Sequence, residues 1–161
     1  MRARHIAVLG VTLVLALGSG ASESPAPRTI VINEVELNPD GFDRDAEWVE
    51  ILNVSAQSVD MTGWSLTYNY PSDGLQPLSE TAISLAPGAR LIIGYAGLRL
   101  RNDESTAIAL VNAAGETVDA TGVLRDTKDD ATTWQRFPDG GDPLFPDLWL
   151  FLPGTPNRTN D

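Results

Sequence analysis

The chain predicts an all-β domain of the sandwich or barrel type. Short apolar runs alternate with Gly, Pro, Asn and Asp clusters every 10 to 15 residues. No stretch of eleven or more residues sustains helical periodicity. There is no heptad run and no internal repeat, so neither a coiled coil nor a solenoid is in view.

Taken in order, residues 29–37 open with β-branched and apolar side chains and read as a strand. Within it, alternation sets Glu34 and Glu36 on the side opposite Val35 and Leu37, where they read as solvent-facing charges that deter edge-to-edge association. Residues 48–54 read as a second strand, carrying Glu50. Trp64, Leu66, Tyr68 and Tyr70 alternate with Ser65, Thr67 and Asn69, the cleanest period-two run in the chain. Thr81, Ile83 and Leu85 make a shorter alternation, stopped by Ala86-Pro87-Gly88. Residues 90–96 are nearly continuously apolar, as expected of a strand covered on both faces. Residues 107–111 and 117–123 flank Asn112-Ala113-Ala114-Gly115, a hairpin turn by composition. Residues 132–137 form a further strand, stopped by Pro138-Asp139-Gly140-Gly141, and residues 148–152 add an edge strand. The expectation is about eight strands, with Trp48, Trp64, Trp134 and Trp149 spread among them as packing residues.

The N-terminus differs from the rest. Arg2 and Arg4 precede an apolar run over residues 6–17, and Ser19-Gly20-Ala21 supplies the small residues of a cleavage site. Residues 1–21 therefore read as a secretory signal peptide, with an uncleaved anchor as the alternative. The apolar run is short for a membrane span of about 20 residues. Residues 22–28 (SESPAPR) read as a linker, and residues 29–161 as one domain. The expected location is extracellular or at the cell surface, with membrane contact only through the signal.

Charge and composition exclude whole classes of chemistry. The chain has no cysteine, which removes thiol nucleophiles, thiolate metal sites and disulfides. Its single histidine, His5, leaves with the signal, so histidine-dependent triads and histidine zinc sites are excluded from the mature chain. No phosphate-binding loop or dinucleotide fingerprint occurs. The formal charge of −11 falls to −13 once Arg2 and Arg4 are gone, and Lys128 is the only lysine. Nucleic-acid affinity rests on cationic side chains that displace counterions, so nucleic acid is not an expected partner. A protein or cell-surface partner is.

One segment has the composition of a cation site. Asp40, Asp43, Asp45 and Glu47 lie within eight residues, with Gly41 able to turn the loop. Calcium takes six to eight oxygen ligands, and alternating acids could wrap it. The same aspartates equally suit a solvated turn in which they cap backbone amides. Asp126, Asp129 and Asp130 form a second acidic stretch, read as a solvated loop. No other cofactor is expected. Asn53-Val54-Ser55 and Asn157-Arg158-Thr159 are N-glycosylation sequons.

An ordered series of short motifs resembles a known family. Ile32-x-Glu34-Val35 leads to Asn38-Pro39-Asp40-Gly41, then Glu47-Trp48-Val49-Glu50-Ile51-x-Asn53. Asp60-Met61-x-Gly63-Trp64-x-Leu66 and Leu85-x-Pro87-Gly88 follow, then Trp134-x-Arg136-x-Pro138-Asp139-Gly140 and Gly154-Thr155-Pro156-Asn157. The series resembles the lamin tail domain in its prokaryotic secreted form. The resemblance implies an immunoglobulin-like antiparallel β-sandwich, preceded here by the signal peptide. It carries over no catalytic residue. The signal and the acidic charge argue against the chromatin role of nuclear relatives. The expected function is a secreted, non-enzymatic interaction module. A polymer- or carbohydrate-binding accessory module with a calcium-ordered loop is the alternative, and a carboxylate-based hydrolase comes last.

Overall fold

The computed structural model describes residues 28–43, 45–68, 74–94, 98–102, 106–142 and 146–160. The signal peptide, most of the linker, and the predicted strand ends at Asn69, Tyr70, Tyr95 and Ala96 lie outside them.

The described chain is all-β. Its strands are β1 (Ile30–Glu36), β2 (Trp48–Asn53), β3 (Val59–Asp60), β4 (Ser65–Tyr68), β5 (Gly74–Pro77), β6 (Ser84–Leu85), β7 (Arg90–Gly94), β8 (Thr106–Val111), β9 (Thr117–Leu124), β10 (Thr132–Phe137) and β11 (Leu148–Pro153). One sheet has the order β11-β10-β1-β2-β7, a second β5-β4-β8-β9, and β3 pairs with β6. Every pairing is antiparallel. The immunoglobulin-like sandwich is therefore the observed architecture.

The core lies between the two larger sheets. Ile30, Ile32, Val35 and Leu37 of the first strand region meet Val49 and Ile51 from β2 and Leu66, Ile108 and Leu110 from the facing sheet. Each fully buried aliphatic side chain contributes roughly 1.5–3 kcal/mol. The inward positions in β1 switch from even to odd numbers. A register shift between Ile32 and Glu34 causes this, because one extra residue in a strand reverses the faces beyond it.

That geometry corrects the reading of the acidic residues in β1 and β2. Alternation does set Glu34 and Glu36 opposite Val35 and Leu37. The outer face they occupy is not solvent, however. β1 is the middle strand of five, and Glu34, Glu36 and Glu50 are all buried. β7 is corrected in the other direction. Its apolar run lies at a sheet edge and is mostly half-buried. The two-residue β3 and the Gly- and Pro-bounded β5 leave no periodic signal, and of the Thr81–Leu85 alternation only Ser84–Leu85 pairs, as β6. The Asn112–Gly115 turn forms as expected, with Gly115 N donating to Asn112 O and Asn112 N to Glu116 O, both at 3.0 Å.

Gly94 brings β7 unusually close to β2. It pairs with Trp48 at a φ of +150°, and a Cβ there would meet Glu47 O at 2.3 Å and Trp48 Cα at 2.7 Å. Only glycine allows the two backbones to approach so closely.

Candidate functional site

The sequence motifs converge on the outer face of the five-stranded sheet, where the chain end folds across the buried acids. Glu34 and Glu50 are cross-strand partners and both are fully buried. Glu34 Oε1 accepts hydrogen bonds from Thr133 Oγ1 at 2.6 Å and from Thr155 N at 2.7 Å, and Oε2 accepts from Thr155 Oγ1 at 3.0 Å. Glu50 accepts from Asn33 Nδ2 at 3.0 Å and from Asn157 N at 2.7 Å, and pairs with Arg90 Nε at 3.2 Å. Burial pushes the Glu50 carboxyl up, the neighbouring Glu34 adds to that, and the bonds from Asn33 and Asn157 and the charge of Arg90 oppose it.

Asp139, from the Pro138-Asp139-Gly140 turn, joins the same group. It is paired with Arg90 and accepts from Asn33 Nδ2 at 3.0 Å and Asn160 N at 3.1 Å. Gly140 N donates to Asn33 Oδ1 at 2.8 Å. Asn160 Nδ2 donates to the carbonyls of Asn33 and Arg136, each at 3.0 Å. Buried charges persist in a fold only when paired and hydrogen-bonded, and here Thr155, Asn157 and Asn160 from the segment after β11 join Asn33 of β1, Arg90 of β7 and Thr133 of β10.

A second buried charge ties the two sheets together. Arg136 is fully buried on the inner face of β10. Its Nη2 pairs with Asp119 of β9 at 2.5 Å, its Nη1 with Asp147 at 2.5 Å, and its Nε donates to Ile32 O at 2.7 Å. Asp119 also accepts from Ile32 N at 2.7 Å, and the Trp149 ring lies 4.9 Å from the guanidinium.

The acidic loop is dispersed. Asp40 and Asp45 are exposed, with Asp45 at a φ of +66°. Asp43 accepts from Asn102 Nδ2 at 3.0 Å. Glu47 is buried and accepts from Leu100 N at 2.9 Å. Desolvation pushes its carboxyl up to about 7, with the Leu100 bond opposing. Among the described residues no three Asp, Glu or His side chains are gathered as a metal group, so Asp40, Asp43, Asp45 and Glu47 are not brought together. The fold does join the two acidic stretches: Gly41 N donates to Asp129 Oδ1 at 2.7 Å.

The sequon asparagines differ sharply. Asn53 is buried, and its Nδ2 donates to Gln57 O and Leu85 O, both at 2.8 Å. Asn157 is exposed at a φ of +59°. Trp48 is buried, while Trp64, Trp134 and Trp149 are half-buried against the core.

The family model described as Lamin Tail Domain matches residues 23–125. The chain belongs to the lamin tail domain family. No curated protein matches it. The match ends before β10 and β11, which complete the five-stranded sheet of this lamin tail domain and bring in Arg136 and Asp139.

The other sheet of the lamin tail domain shows a surface that the sequence reading did not single out. β4, β5, β8 and β9 contain one charged residue, Asp119, and it points inward to Arg136. The outer face runs from Leu75 across Thr67 and Ala109 to Ala120, with Ala107 paired to Val123 beside that row. Leu75 is 64% and Val123 68% exposed. An open groove of ≈ 440 Å³ is lined there by Thr67, Ala107, Ala109, Ala120 and Gly122 together with Tyr68 and Ile108. The sequence signal was the run of Ala, Thr and Gly at alternate positions of β8 and β9, which pattern analysis discounts because such residues are weakly apolar.

Proposed function

We propose that this lamin tail domain is a secreted, non-enzymatic module that binds a protein partner through the outer face of its four-stranded sheet. The observation that carries the reading is the uncharged face itself. In an acidic chain with a formal charge of −11, four adjacent strands present no charge outward. Interface centres are depleted of charge, and exposed apolar patches mark contact surfaces.

The non-enzymatic part is supported by the fate of the carboxylates. The cross-strand pair Glu34 and Glu50 is fully buried, and bonds from within the domain hold both carboxylates. Carboxylate hydrolysis needs an acid and a base open to substrate and water. Location outside the cell follows from the signal pattern, and a mature N-terminus at Ser22 in the culture medium is the expected finding.

The test is capture from the host's extracellular fraction with the wild-type protein and with an Ala109→Asp/Val123→Asp variant. Both substitutions are at outward positions, so the melting temperature should change little. The reading expects a protein captured by wild type and lost with the variant. Equal capture by both would overturn it.

A further inference from the structure

We propose that two copies of this chain pair through the free edge of β11, antiparallel and about a two-fold axis, to make one continuous sheet. β11 is the outermost strand of the five-stranded sheet, and among the described residues no strand pairs with its outer edge. Its register with β10 runs unbroken from Thr132 opposite Pro153 to Phe137 opposite Leu148. Gly154 N donates to Ala131 O at 2.9 Å, which fixes the phase of that ladder. Bonded and non-bonded pairs alternate along an antiparallel ladder. Leu148, Leu150 and Leu152 therefore turn their backbone groups to β10, and Trp149 and Phe151 turn theirs away. Outward N–H and C=O groups in a row are a template for a further strand.

The other sheet edges carry features that prevent such pairing. β9 has register shifts against β8 and an inward charge, Asp119. β5 is four residues long and ends at Pro77. β7 carries a charge turned in over the sheet, Arg90 to Glu50 and Asp139. β11 has six residues, LWLFLP, with no charge, no bulge and no proline before its last position. Its Leu148 is 50% exposed.

The composition of the strand names the occupant. Leu148, Leu150 and Leu152 lie on one face of β11 and Trp149 and Phe151 on the other, so both faces are apolar. A strand laid beside it must be apolar on both faces too, because a charge there would be set against leucine or tryptophan. A second β11 meets that requirement. The charges agree. With a formal charge of −11, two copies repel at long range. At β11 the repulsion is muted: Asp147, the residue before it, is paired with both Arg28 and Arg136, and the Lys128 ammonium lies 5.5 Å from the Phe151 ring centroid. Outward residues must bond outward residues. Trp149 opposite the second copy's Phe151 engages both residues on each copy, sets Leu150 opposite its own counterpart at the axis, and closes the assembly at two.

The test is sedimentation equilibrium of the purified protein across concentration, at low and high salt, with amide exchange read by NMR at both ends of the range. The expected result is a monomer–dimer equilibrium that tightens as salt screens the net charge. The Trp149 and Phe151 amides should exchange fast in the monomer and slowly in the dimer, while Leu150 and Leu152 stay slow in both. Leu150→Lys sets two ammonium groups at the axis and should weaken the dimer by about tenfold or more. If that variant does not fold, Leu148→Lys, at the half-exposed first position, should weaken it in the same direction. Ala109→Asp/Val123→Asp, on the other sheet, should leave the dimer intact, which separates this association from partner binding there. A wild type that stays monomeric at every concentration, assembly beyond two copies, or a dimer that weakens as salt is added would overturn the proposal. So would a dimer kept by the β11 lysine variants and lost with Ala109→Asp/Val123→Asp.

Discussion

Thr155 donates its backbone N–H to Glu34 at 2.7 Å across 121 residues of sequence, so the end of the chain is bonded directly to the middle strand of the larger sheet. Its hydroxyl bonds the other oxygen of the same carboxylate. The Gly154-Thr155-Pro156-Asn157 motif is thus a clamp over buried acids. Replacing Glu34 by Ala leaves Thr133 Oγ1 and Thr155 N without their acceptor, and should lower stability by about 2–5 kcal/mol. Thr155→Ala removes the hydroxyl bonds only and should cost about 1 kcal/mol. Urea unfolding of the three proteins checks the ranking.

Arg136 predicts a non-additive pair. Arg136→Met leaves Asp119 buried without its counter-charge, while Asp147 keeps its pair with Arg28, and should destabilise by about 3–5 kcal/mol. Adding Asp119→Asn removes that charge while keeping an acceptor for Ile32 N, and should recover at least about 1 kcal/mol. A double-mutant cycle reads the coupling, and strict additivity would contradict the buried-pair account.

Glu47 makes stability fall as pH rises. Its folded carboxyl titrates at about 7, above the ordinary 4.5, because burial disfavours the charge. The native state therefore holds the proton more tightly than the unfolded chain does. The group's stabilising contribution is fully present below pH 4.5 and is lost as pH approaches 7. Glu47→Gln keeps an acceptor for Leu100 N without the charge. It should flatten this part of the profile and raise stability at pH 8 by about 1 kcal/mol, after discounting for solvent screening. Melting curves from pH 4.5 to 8 check the sign.

The sequons should behave unequally in a host that glycosylates secreted proteins. The Asn53 side chain is committed to two carbonyls and has no room for a glycan, whereas Asn157 is exposed. Peptide mapping of the folded, secreted protein should find sugar at Asn157 alone.

Much of this fold was legible because β-branched runs and turn residues mark strands locally. The β8–β9 hairpin and the inward pair Leu66 and Tyr68 follow from alternation within a few residues. The burial of Glu34 and Glu50 was not legible. It depends on β10 and on a segment more than 100 residues away, and alternation gives the face of a side chain without saying what covers that face. The bulge before Glu34 was equally hidden, since one inserted residue leaves no compositional trace. For the candidate site, the acidic stretches were visible, but their junction through Gly41 and Asp129 is a tertiary contact. The uncharged sheet face was invisible for another reason. It is an absence of charge summed over four strands, and no single window of sequence contains it.

Amide hydrogen exchange of the protein, free and bound to its captured partner, tests the central claim most directly. The account predicts slowed exchange in Ser65–Tyr68, Thr106–Val111 and Thr117–Leu124 on binding, with the segment over Glu34 and Glu50 unchanged. Protection confined to the Thr155–Asn160 segment, with those three strands unaffected, would contradict it.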